Sequence, residues 1–124
     1  MPEEYLALVT AMKALTKAPA TTSETEVTLL MAEDEWKTRP DADSYGMIAL
    51  DFEVDALYGD DVKQAEAYEG SVDLYSRKKD GEGWPALIRR TLTEHCGGCW
   101  ELNYHGHEVN TGLYHWEWWF QVEG

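Results

Sequence analysis

Between residues 113 and 123 bulky apolar side chains alternate with polar ones, the sharpest pattern in the chain. Tyr114, Trp116, Trp118, Phe120 and Val122 take the even positions, while His115, Glu117, Gln121 and Glu123 take odd ones. Strict period-two alternation marks a half-buried strand, one face on a core and one in water. Its aromatic and β-branched content agrees. Trp119 is the exception, an aromatic ring on the polar side, and it reads as an exposed contact point for a partner. Such a strand needs neighbouring strands and a covering layer.

The rest of the chain supplies both. Residues 2–17 read as a helix, with Tyr5, Leu8, Val9, Met12 and Leu15 on one stripe. Proline stands near its start, Glu3 and Glu4 occupy the first turn, and Lys13 and Lys17 lie near the last, matching the helix dipole at both ends. Residues 26–36 predict a strand with Val27, Leu29 and Met31 on one face. Residues 45–58 predict another, in which Ile48, Leu50, Phe52 and Val54 alternate with Met47, Ala49, Asp51, Glu53 and Asp55. These two are expected to pair as an antiparallel hairpin with a fairly long connection. The polar stretch 59–69 takes no assignment.

Residues 70–78 predict a third strand, Val72 and Leu74 inward and Asp73 and Tyr75 outward. A second helix, Trp84–Cys96, is entered through Pro85 and ended by Gly97-Gly98. Trp100, Leu102 and Tyr104 then alternate into a hairpin loop at residues 105–112. The order α-β-β-β-α-β-β predicts one α+β domain over residues 1–124, a mostly antiparallel sheet with two helices on one face.

Composition narrows this picture. A chain of 124 residues can bury a core without disulfides or metal. No apolar run approaches the ~20 residues of a bilayer span. The acidic start lacks the basic and apolar regions of a signal peptide, so an intracellular, soluble protein without membrane contact is expected. A net charge of −14 argues against sequence-specific nucleic-acid binding. The charge is concentrated: residues 24–73 hold fifteen acidic and three basic side chains, a net of −12.

Three clusters could carry chemistry. Cys96 and Cys99 with His105 and His107 are four potential zinc ligands. Only five residues separate the second thiol from the first imidazole, a spacing no common zinc finger uses. The plainer reading is a helix end with small cysteine fillers and loop histidines, and no metal or other cofactor is assigned. Redox work is disfavoured too, since Cys96 closes a helix, where the dipole raises a thiol pKa rather than lowering it. Asp51, Glu53 and Asp55 on one strand face could bind a divalent cation or act as an acid–base pair. Nothing marks a cleft around them, and the plainer reading is a solvated or assembly-facing side. Arg77, Lys78 and Lys79 with Arg89 and Arg90 form a small basic patch suited to an acidic partner surface. There is no phosphate-binding glycine loop, nucleophile elbow or Ser/His/Asp arrangement, so no enzyme is expected.

Residues 68–76, the helix that follows, and residues 100–103 leading through 110–122 together resemble a protein family. They look like the tail terminator (tail-completion, minor tail) proteins of long-tailed bacteriophages, as carried by prophages of gut Firmicutes. The resemblance is one of pattern and order after about Tyr45, and the initial helix and strand pair are compatible with that family's α+β fold. It implies a structural role. Such proteins form a ring, usually hexameric, at the head-proximal end of the tail tube, stop tube polymerisation and present a surface to the head connector or neck. The implied partners are further copies of the chain, the tail tube protein and the connector. The implied location is the host bacterial cytoplasm during assembly and then the virion tail.

DNA passes through such a ring, and a negative lumen repels phosphates, which would account for the acidic segment. Asp51, Glu53 and Asp55, with His115, Glu117 and Trp119, are the residues expected on the lumen or oligomer face. Residues 59–69 would be a loop that orders on assembly. Two other readings stay open: a head–tail joining protein, and a small acidic inhibitor that mimics DNA.

Overall fold

A computed structural model of the chain describes residues 3–17, 26–53 and 67–123. Its main sheet has five strands in the order β3-β4-β5-β7-β6, and both helices lie on one side of it. These strands are β3 (Leu30–Glu33), β4 (Ser44–Glu53), β5 (Ala67–Ser76), β6 (Trp100–Glu108) and β7 (Leu113–Glu123). Two short strands, β1 (Thr16–Lys17) and β2 (Val27–Thr28), pair beside it. The α+β class and the mostly antiparallel sheet expected from the pattern are what the chain builds.

The alternation of β7 works as read. Trp116, Trp118, Phe120 and Val122 are buried beneath α1 (Glu3–Lys13) and α2 (Trp84–Cys96). α1 contributes Tyr5, Leu8, Val9 and Met12 to this core, and α2 contributes Trp84, Ile88 and Leu92. Tyr5 stacks on Phe120 at 6.3 Å between ring centroids. β5 supplies Val72 and Leu74 from beside β7, and β4 supplies Ile48. Gly70 is required by this packing. A Cβ there would lie 2.5 Å from Phe120 Cζ and still closer to the Ala49 carbonyl, so only glycine lets β4, β5 and the Phe120 ring approach.

Four expectations need correcting. The first helix stops at Lys13, short of residue 17, because Thr16 and Lys17 become β1. Lys17 then serves the far end of the chain: its ammonium sits 4.6 Å over the Trp84 ring and donates to the Glu82 carbonyl. The strand expected at 26–36 is divided. Val27 and Thr28 pair with β1, the Leu29 N–H donates to the Leu15 carbonyl at 3.0 Å, and only from Leu30 does the chain join β4.

That second pairing is parallel, not an antiparallel hairpin. β3 is only four residues long, roughly 13 Å. The loop 34–43 is therefore long enough to carry the chain back to the same end before β4 begins. Asp34 turns out of β3 at φ 72° while its N–H still donates to Ile48 O, and Trp36 Nε1 donates to Gly46 O at 2.9 Å. The loop expected at 105–112 is shorter as well. β6 runs to Glu108, which leaves residues 109–112 as the turn.

α2 keeps the bounds its pattern predicts, and Gly97, at φ 60°, closes it by donating to Thr93 O. The segment before it is a single 3-10 turn, Gly81–Gly83, tied to the sheet by a relay of hydroxyls. Counting one proton per hydroxyl fixes the direction: Lys78 N–H donates to Ser76 Oγ, Ser76 to Ser44 Oγ, and Ser44 to Glu82 Oε1. This satisfies two buried serines, which would otherwise cost free energy unpaired. Among the described residues, no helix is long and apolar enough to cross a membrane.

Candidate functional site

With both helices on one side, the opposite face of the sheet is left open among the described residues. It is built from the odd positions of β5 and β7 and their neighbours in register. Asp73 lies opposite Glu117, Tyr75 opposite His115, and Ser71 opposite Trp119. Rings run across the strands in one ladder. Trp36 meets Tyr45 edge-on at 6.4 Å, Tyr45 stacks on Tyr75 at 5.4 Å, Tyr75 on His115 at 4.2 Å, and Tyr104 tilts against His115 at 5.3 Å. Gly106, level with His115, keeps the last contact possible, since a Cβ there would lie 2.5 Å from Tyr104 Oη. A groove of about 420 Å³ continues the ladder, lined by Trp36, Arg39, Tyr45, Tyr75 and Glu108 among others.

His115 is the centre of this face. Its Nε2 is 2.7 Å from Asp73 Oδ1, its Nδ1 is 3.6 Å from Glu108 Oε2, and its side chain is only 13% exposed. Burial by itself would lower its pKa. The hydrogen bond and charge of Asp73, then the charges of Glu108 and Glu117, more than offset that and raise it. Glu117 and Asp51 are both held above the usual carboxylate range. For Glu117 the causes are burial and then the facing Asp73, while His115 pulls the other way. For Asp51 they are burial, then Asp73 and Glu69. The face therefore holds protons that isolated side chains would release.

The residues expected on this face divide unevenly. His115, Glu117 and Trp119 are on it, but Trp119 is half-buried rather than fully exposed, packed between the rows of Ser71 and Glu101. Asp51 is exposed at a bulge, the extra residue between Leu50, paired with Gly70, and Phe52, paired with Glu69. Beyond the bulge the backbone of Glu53 pairs in register with Tyr68. Asp55, like most of the 59–69 stretch, lies outside the described residues.

The alternation of residues 70–78 puts Asp73 and Tyr75 outward without a role, and the hairpin pattern puts Glu108 in a loop. Their outward alternation was the available signal. Register across strands, which brings Asp73 to His115, has no local trace.

The four potential zinc ligands do not converge. Cys99 ends the turn before β6, and Trp100 pairs with Phe120. His105 pairs with Trp116, four residues or about 13 Å further along β7, and stacks on it at 4.5 Å. His107 packs on Tyr114 at 4.5 Å. Among the described residues no group of three or more His, Cys, Asp or Glu side chains is arranged to hold a metal ion. The Cys96 thiol is pushed up to about 12, first by burial and then by the neighbouring Cys99, which leaves little thiolate for metal or redox chemistry.

His115 with Asp73 has the geometry of an oriented base. The partners of His115 are carboxylates and rings, and among the described residues no hydroxyl or thiol hydrogen-bonds to it. What the arrangement does is hold one imidazole between carboxylates from two neighbouring strands. In the basic patch, Arg77 is taken up by Asp41 at 3.3 Å and Asp43 at 3.5 Å. Arg89 and Arg90 stay exposed on α2. No family model matches the chain, and no curated protein or solved structure matches it either.

Proposed function

We propose that this chain is a structural, non-catalytic phage tail-assembly protein of the terminator type. It caps the tail tube at its head-proximal end as a ring of identical subunits, usually six, and joins the tail to the head connector. The observation that carries this reading is the open, acidic and aromatic sheet face opposite a two-helix layer. A monomer gains nothing from leaving half-buried rings and crowded carboxylates uncovered, whereas an assembling subunit needs such a face. The acidic excess, concentrated in residues 24–73, suits a ring through which DNA must slide without adhering.

Size-exclusion chromatography with light scattering, followed by negative-stain imaging, tests the proposal. Closed rings that cap purified tail tubes are the expected result. A strictly monomeric protein, indifferent to tubes at high concentration, would count decisively against it.

A second reading, a DNA mimic that occupies a basic cleft, is favoured by Asp51, Asp73 and Glu117 lying near one another on a rigid sheet. A mimic needs carboxylates that stay ionised, and two of these three have raised pKa values. Tight binding to a basic DNA-binding domain, without ring formation, would select it.

A further inference from the structure

We infer that the open sheet face of one copy docks head to tail on the outer face of α2 of the next copy. This rests on the ring reading for the existence of a second copy, and it names the two surfaces that meet.

Among the described residues the open face is acidic. Asp73 and Glu117 stand directly opposite each other on neighbouring strands, an arrangement that is unfavourable for two like charges unless a proton bridges them, as the hydrogen bond between them requires. Asp51 and Glu69 lie near enough to add to the repulsion. One imidazole, His115, answers them from within the face. Beside this cluster Trp119 presents a half-buried ring next to exposed Glu101, an apolar anchor within a charged rim.

The complementary surface lies on the other side of the same molecule. Ile88 and Leu92 turn the inner face of α2 into the core, which leaves Arg89 and Arg90 pointing away from the sheet. Among the described residues neither arginine makes an ion pair, although the chain carries 24 acidic side chains. Glu94, one turn further on, is the nearest acid in sequence on the exposed surface of that helix. With Glu94 counted, the exposed surface of α2 still carries a net positive charge, in a chain whose net charge is −14.

The symmetry follows from the charges. A two-fold contact with its axis at Asp73 and Glu117 would set carboxylate against carboxylate. A contact that joins the open face to α2 instead is heterologous, between two different surfaces on opposite sides of the subunit. A contact of that kind, repeated, closes into a ring or runs on as a filament.

Two variants test this, Arg89→Ala/Arg90→Ala and Glu101→Ala/Trp119→Ala, with circular dichroism to confirm folding. Both arginines are fully on the surface, so the first variant decides the matter even if the second folds poorly. Each variant alone is expected to lose assembly, its dissociation constant rising on the order of tenfold or more. An equimolar mixture retains one intact pair of surfaces, and light scattering should show a 1:1 heterodimer and nothing larger. Wild-type rings that persist unchanged in the arginine variant would overturn the contact while leaving the ring reading intact. Mixtures that rebuild full rings would overturn it as well. A wild-type protein that never assembles would remove both.

Discussion

His115 Nε2 lies 2.7 Å from Asp73 Oδ1, across the β5–β7 pair, and the same imidazole is stacked on Tyr75, two residues along from that aspartate. The ring is fixed both in its plane and along its hydrogen bond, so its proton is a structural element of the open face.

A pH dependence follows. His115 titrates above its ordinary value of 6.5, and Glu117 and Asp51 above 4.5 and 3.8. All three bind protons more tightly in the folded chain than in the unfolded one. Each contribution is complete below the unfolded pKa and is lost as pH rises through the folded one. Stability should therefore fall from about pH 4 upward as the two acids ionise, and fall again above about pH 6.5 as His115 loses its proton. Thermal melts from pH 4 to 9, with proton NMR following the His115 ring, would check this. A melting temperature that climbs steadily between pH 5 and 8 would contradict it.

Trp118 and Trp119 are neighbours in sequence with opposite duties. Trp118 is fully buried against both helices, and Trp118→Ala should cost about 3–5 kcal/mol, a large share of a small domain's stability. Trp119 lies on the open face, and Trp119→Ala should leave the monomer folded at a cost of roughly 1 kcal/mol while weakening self-association. Urea titration of each variant, read alongside light scattering, separates the two effects.

The Tyr5 hydroxyl is buried without a hydrogen-bond partner among the described residues, and burial followed by the charges of Glu33, Asp34 and Asp51 pushes its pKa to about 12. Tyr5→Phe keeps the ring on Phe120 and removes the unpaired group. Stability should be unchanged or higher by up to ~1 kcal/mol. A loss of similar size in denaturant titration would mean that the hydroxyl does have a partner.

The two cysteines should differ in reactivity. Cys99 is exposed, while the half-buried Cys96 holds its proton to about pH 12. Iodoacetamide at pH 8 should modify Cys99 first, with Cys96 slower by on the order of a hundredfold or more. Mass spectrometry after timed quenching would show single modification, and denaturant should abolish the difference.

These particulars also show what a single chain reveals of itself. α2 and β7 were legible because their periodicity is local, and every residue that sets the pattern lies within the element. The parallel β3–β4 pair was not legible, because it depends on how far the loop 34–43 travels. Nor were the bulges at Asp51 and Asn103, where no glycine or proline interrupts the alternation. The site was half visible: His115, Glu117 and Trp119 could be assigned to the wet side of one strand. Asp73 joins them only through register across 42 positions of sequence, and Glu108 only because β6 runs further than its hairpin pattern suggests.

The two margins of the sheet have a consequence of their own. On one side β3 offers four residues, and on the other β6 is interrupted at Asn103 and studded with Glu101, His105, His107 and Glu108. Neither rim presents a long, flat row of free amides on which another strand could template itself. Among the described residues, charged and imidazole side chains rather than an unbroken run of free amides are what these two rims present to a neighbouring strand, which disfavours edge-to-edge growth.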